Sequence, residues 1–260
     1  MRHISPKKKK HFLFLFIYEF VAGYIALALH FNALWYLAIS WALPTLFFLY
    51  KLHLNRYRYI FEAILWSIPG SVLIDWIGHY SRAWSFWTNP LFASTGINIL
   101  GIPLESFIWG TLFWIFYVVV YEYFFDENCS SNFNNREKIL VTSLSVISFV
   151  IVYLINLYKP TIPFSYLLIL LMVVFLIVLS LAPYRRLIPR ILKFGLIVFL
   201  VGLQVEYFSL MLGLWLFPEG EFLKTVLFFG HSIPIEELAW WFIVPMWVAA
   251  AHEVFADNRS

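Results

Sequence analysis

The chain has 260 residues, of which 62% are hydrophobic, 21% aromatic and only 13% charged, with a formal net charge of +3 and a mean hydropathy of +0.79. A soluble domain carries about 25% charged residues, so this chain cannot cover a water-facing surface and reads as an integral membrane protein. At about 20 apolar residues per spanning helix the length is consumed by about eight spans, no soluble catalytic domain fits, and the 11 glycines form no Gly-x-Gly-x-x-Gly run.

In chain order, apolar segments fall at about 12–30, 32–50, 59–78, 96–125, 138–157, 163–182, 191–216 and 225–252. The basic start Lys7-Lys8-Lys9-Lys10 is like a signal-peptide flank, but the apolar run after it continues too long and lacks a small-residue cleavage site. It therefore flanks a first span. The third, fourth, seventh and eighth segments contain polar residues, whereas the fifth and sixth are nearly pure Leu, Ile, Val and Phe. If all eight cross and the N-terminus is cytoplasmic, the inner stretches hold Arg2, Lys7 to Lys10, Lys51, Arg56, Arg58, Arg136, Lys138, Arg185, Arg186, Arg190, Lys193 and Arg259. Only Arg82, Lys159 and Lys224 remain outside. This positive-inside asymmetry is hard to obtain with a wrong span count. It predicts an all-α integral membrane protein of about eight transmembrane helices, multi-pass in the cell membrane, with both termini cytoplasmic. The single Cys129 excludes an internal disulfide and a CxxC metal site.

The polar stretch 126–138 divides the chain near its midpoint, four segments to each side. An even number of spans per half predicts repeats of the same orientation, 1–130 and 131–260. Sliding the chain against itself, without gaps, until Asp75 falls on Glu206 also sets Trp84 on Trp215, Phe86 on Phe217 and Pro103 on Pro234. In the same register Glu105 falls on Glu236, Trp109 on Trp240 and Glu122 on Glu253. Shared hydrophobicity alone would match Leu and Phe instead of Pro, Trp and carboxylates. The match therefore reads as an internal repeat, two parallel four-helix units.

Asp75, Glu105, Glu206, Glu236 and Glu237 lie in or beside apolar segments. An ionised carboxylate at a helix centre costs about 2.5–3.5 kcal/mol on insertion scales, which makes such residues functional candidates. Glu two residues after Pro103 or Pro234 also suits a helix start, but two copies in one register, each preceded by an acid on the previous span, favour a site. All five lie toward outer span ends, where they can converge on one apolar pocket that keeps at least one of them protonated. A general acid then stands beside a general base. Trp84, Phe86, Trp109, Trp215, Phe217 and Trp240 are the aromatic candidates for lining that pocket and stabilising a cation, with an interfacial belt as the plainer reading for most of the tryptophans. His79, His231 and His252 have no metal-ligand spacing, and no Asp-rich motif for magnesium pyrophosphate occurs. No cofactor, metal or nucleic-acid partner is expected.

The pattern Asp75…Trp84-Ser85-Phe86…Gly96-Ile97-Asn98-Ile99…Ile102-Pro103-Leu104-Glu105, with its second copy Trp215-Leu216-Phe217…Ile233-Pro234-Ile235-Glu236-Glu237-Leu238, resembles the small membrane-type lycopene cyclases of carotenoid biosynthesis. In that family the unit occurs as two subunits or as a fused tandem, and this chain is similar to the fused form over roughly 45–126 and 175–257. The first copy departs from the family pattern, with Ser106 in place of the second Glu. The resemblance implies an isomerase, of the intramolecular-lyase type, that closes the ψ-ends of a linear carotenoid such as lycopene within the lipid bilayer. A carboxylic acid protonates the terminal C=C, the cation is attacked by the neighbouring double bond, and a base removes a ring proton. It implies Glu236 and Glu237 as the acid/base pair, Glu105 as their counterpart, and Asp75 and Glu206 as second candidates. A small proton-coupled transporter, also built from repeats with intramembrane carboxylates, and a related isoprenoid enzyme such as a cyclase of elongated carotenoids are the alternative readings.

Overall fold

The computed structural model describes residues 5–52, 60, 63–64, 66, 74–75, 77–79, 81–85, 89–99, 102–125, 139–140, 142–144, 146–147, 150–151, 154, 157, 163–217 and 222–255. The protein is mostly helical and carries helices suited to a membrane. Helix α1 spans Pro6–Ala28, with Pro6 in its first turn and Ser5 capping it by accepting from the Lys8 N–H at 3.3 Å. Helix α2 spans Ala33–Leu52, is capped by Asn32, and contains a π-turn at Ala38–Ala42. Helix α3 is Leu104–Phe124, α4 is Ser165–Leu181, α5 is Ile188–Met211 and α6 is Ile235–Phe255. Among the described residues, α1, α2, α3 and the continuous run Ser165–Met211 are long and apolar enough to cross a membrane. The described residues of the third and fifth predicted segments are helical as well.

The run Ser165–Met211 is not one rod. A 3-10 turn at Ala182–Leu187, with Tyr184 at φ −125° and ψ 51°, separates α4 from α5. Tyr166 at the start of α4 meets Glu237 at the start of α6, whereas Arg190 at the start of α5 meets Glu253 at the end of α6. The chain therefore reverses at the turn, and α4 runs parallel to α6 while α5 runs against it. Tyr121, near the end of α3, also reaches Glu253, so α3 and α6 are parallel. His11 at the start of α1 contacts Tyr123 at the end of α3, and Phe48 near the end of α2 lies 5.2 Å from the same ring. Lys7 to Lys10, Lys51, Arg185, Arg186, Arg190 and Lys193 consequently gather at one end of the bundle. Arg82 and Lys224 belong to the other.

Helices α3 and α6 form the centre. Every residue from Phe113 to Val120 is buried, as is every one from Met246 to Val254, as expected of helices that are apolar all round. The peripheral α1 instead exposes Leu13, Phe14, Ile17, Phe20 and Tyr24, a face that suits lipid.

The fourth and eighth segments differ from the all-helical expectation. Both begin as β-hairpins, β1 Asn98–Ile99 with β2 Ile102–Pro103, and β3 Thr225–Phe228 with β4 His231–Pro234. In each hairpin the proline closes the ladder, Pro103 opposite Asn98 and Pro234 opposite Thr225, and a helix starts on the next residue. A proline fits here because it occupies the last rung.

Several helix ends and contacts fall at positions that the sequence register pairs. Helix α3 begins at Leu104 and ends at Phe124, and their repeat counterparts Ile235 and Phe255 begin and end α6. Ser85 and Leu216, counterparts in the same register, pair with each other through N–H···O bonds of 2.9 and 3.2 Å. At the basic end Tyr121 donates to Glu253 while His252 contacts Glu122 at 2.6 Å, and exchanging the two segments turns one contact into the other. Helix termination matches too. The N–H groups of Ser81, Arg82 and Ala83 bond to Ile77, His79 and Gly78, and those of Leu212, Gly213 and Leu214 bond to Phe208, Leu210 and Ser209. Both are Schellman caps, with the left-handed position held by Arg82 (φ 58°) and Gly213 (φ 66°).

Candidate functional site

At the end opposite Lys7 to Lys10, a cavity of about 60 Å³ lies between the helical residues around Asp75, α3, α4, α6 and the segment after α5. Asp75 and Glu237 both line it, together with Trp84, Trp109, Trp215 and Trp240. Trp84 and Trp215 are matched in the sequence register, as are Trp109 and Trp240. Phe217, Phe92, Tyr166 and Trp241 complete the lining. A second cavity of about 40 Å³ continues from Asp75, Trp109 and Trp240 toward Trp114 and Trp247.

Glu206 stands behind Glu237 and is fully buried. Its carboxyl accepts from Trp215 Nε1 at 3.2 Å and from Trp241 Nε1 at 3.2 Å, and it lies beside the Glu237 carboxyl. Tyr166 OH donates to Glu237 Oε2 from the first turn of α4. Asp75, at the same cavity, is 5% exposed and its Oδ2 has no hydrogen-bond partner. Ser106 lies beside Asp75, and the repeat counterparts of Asp75 and Ser106 are Glu206 and Glu237. In that sequence register an acid pair in the second half answers to an acid with a serine in the first.

Close backbone approach admits the indoles. A Cβ on Gly202 would stand 2.6 Å from the Trp241 ring, and one on Gly78 would stand 2.0 Å from Trp84. Trp84 further packs edge-on to Tyr166 at 5.1 Å and against Trp240 at 6.3 Å.

Glu105 and Glu236 are arranged differently from Glu237. Glu105 accepts from Thr95 N at 2.6 Å and Ser94 Oγ at 3.1 Å, and Glu236 accepts from Leu223 N at 2.7 Å. Each ties the start of its helix to the strand entering its hairpin, alongside the Leu104 N to Ile97 O and Ile235 N to Lys224 O bonds, both 2.9 Å. Neither lines the cavity. Consecutive helical positions point about 100° apart, so Glu236 faces the hairpin while Glu237 faces the cavity. The sequence-predicted set therefore divides into Asp75, Glu206 and Glu237 at the cavity and Glu105 and Glu236 at the hairpins. Trp84, Trp109, Trp215, Phe217 and Trp240 lie at the cavity, and Phe86 lies outside the described residues. Tyr166 and Trp241 were not among the predicted site residues. A hydroxyl-bearing ring at the start of an otherwise aliphatic segment was the available signal for Tyr166.

Among the described residues no group of three or more His, Cys, Asp or Glu side chains is placed to hold a metal ion. Comparison with protein-family models, with curated proteins and with solved structures gave no match.

Proposed function

We propose that the protein is a carotenoid cyclase of the lycopene type, an isomerase that closes ψ-end groups to rings by proton-initiated cyclisation. The observation that carries this reading is an aromatic cavity lined by both Glu237, with Glu206 beside it, and Asp75, with its free carboxyl oxygen. Glu237 adds its proton to the terminal C=C of the linear carotenoid. The tertiary cation that forms is attacked by the adjacent double bond, making the ring C–C bond. Asp75 then removes a ring proton, so that no hydrogen or electron is gained or lost overall. Trp84, Trp109, Trp215 and Trp240 present the π-faces that stabilise a cation, and their bulk excludes the water that would quench it. The two joined cavities are smaller than the roughly 300–1,000 Å³ of ordinary ligand sites, so the end group enters by turning indole rings aside. The polyene then extends into the second cavity.

The same proposal includes the architecture that brings the acids together. Two four-helix repeats, 1–130 and 131–260, share one orientation and meet about an axis through the Ser85–Leu216 pair and the Tyr121–Glu253 and Glu122–His252 contacts. Eight spans cross the cell membrane, with the lysine-rich end and both termini cytoplasmic. The hairpins and the cavity lie at the outer face. Expression in a lycopene-accumulating bacterial host, followed by pigment chromatography, tests the reading. Cyclic carotenoid is expected, and unchanged lycopene with the protein present in the membrane refutes it.

A further inference from the structure

Glu19 takes no part in the cavity. It lies about 14–18 Å along α1 from Lys7 to Lys10, at 1.5 Å per residue, and is 2% exposed with neither carboxyl oxygen hydrogen-bonded. Its neighbours are in the same condition. Ser40 Oγ, Trp41 Nε1 and the Tyr117 hydroxyl are all buried and all without a partner. Glu19 acts electrostatically on the hydroxyls of Tyr18, Tyr36 and Tyr117, which places it among them. Tyr18 OH donates to Ile39 O at 2.7 Å, tying the neighbour of Glu19 to the π-turn of α2. The Trp41 and Tyr117 rings lie 5.8 Å apart.

Four unpartnered polar groups from three helices in one place are costly unless something satisfies them. Ordered water does so where two to four polar atoms converge, and π-turns concentrate at functional positions. The surroundings extend in both directions. Toward the cavity, Tyr36 OH donates to Val205 O at 3.1 Å, and Trp41 stacks at 6.3 Å on Trp241, whose N–H binds Glu206. Toward the basic end, Tyr121 follows Tyr117 by one turn of α3 and donates to Glu253, which meets Arg190 at 3.3 Å.

We propose that Glu19, Ser40, Trp41 and Tyr117 form a mid-membrane site for ordered water and one proton, exchanging that proton with the basic end by way of Tyr117, Tyr121 and Glu253. Each transfer is a hop between oxygens, and no bond other than O–H forms or breaks. The site does not depend on the cyclase reading, since it can be measured without substrate.

Infrared difference spectroscopy of the purified full-length protein in lipid nanodiscs tests it. Glu19→Gln should remove one carboxylic C=O band, and that band should shift when the wild type is moved into heavy water. Tyr117→Phe should keep the band but slow its shift. It should also lower Tm, because it removes a hydroxyl that binds water. Loss of no band in Glu19→Gln, a wild-type band that does not shift, an unslowed shift in Tyr117→Phe, or a higher Tm in that variant would each overturn the proposal. Should Glu19→Gln fail to fold, the two Tyr117→Phe readouts still decide.

Discussion

The carboxyls of Glu206 and Glu237 lie side by side, while the positions matched to them in the first half of the sequence are Asp75 and Ser106. The second half therefore brings two acids to this region and the first half one acid with a free oxygen. The proposed division of labour follows from that difference. Two adjacent carboxyls can keep one proton between them for donation, and a lone acid facing the same cavity suits removal.

Glu237→Gln and Asp75→Asn should each lower cyclisation by about 10²–10⁴-fold, the range for losing one general acid or base, with little change in Tm. Glu105→Gln and Glu236→Gln should instead lower Tm by loosening the hairpins, with activity falling only as far as folded protein is lost. Product yield per folded protein separates the two groups. Full activity in Glu237→Gln would remove the proposed donor.

Gly202→Ala should displace the Trp241 ring and weaken its hold on Glu206. Overpacking of this kind costs about 1–3 kcal/mol, and the same substitution should reduce activity beyond its effect on Tm. An alanine variant with wild-type activity and Tm would show that the ring has room to move aside.

Arg82 holds the left-handed cap position that Gly213 holds in the second half. A non-glycine residue in that conformation costs roughly 1 kcal/mol, and Arg82 is exposed. Arg82→Gly should therefore raise Tm slightly without altering activity. A lower Tm would mean that the arginine side chain contributes more than its backbone strain costs.

The two halves meet through the Ser85–Leu216 pair and the contacts of Tyr121 and Glu122 with Glu253 and His252. Residues 1–130 and 131–260, expressed together as separate chains, should associate and recover activity. Either half alone should be inactive, because Asp75 and Glu237 lie on different halves. Activity from one half alone would contradict a shared cavity.

Much of this arrangement was legible in the sequence because carboxylates, tryptophans and prolines are rare in apolar runs and recur in one register. Asp75, Glu206, Glu237 and four tryptophans were marked in that way. The separation of Glu236 from Glu237 was not, since both match the acidic pattern and only the helix rotation after Pro234 decides which faces the cavity. The hairpins were hidden because β1 and β2 are two residues each, too short for alternation to stand out from an apolar segment. Tyr166 lacked a repeat partner of its own kind, its counterpart in the first half being the exposed Trp35.

The most direct measurement is incubation of lycopene with the purified protein in lipid vesicles, in ordinary and in heavy water, with mass analysis of the pigments. Proton-initiated cyclisation predicts a ring-containing product of the same mass as lycopene in ordinary water and a heavier one in heavy water. Unchanged lycopene, or a product whose mass in ordinary water differs from that of the substrate, would contradict the account.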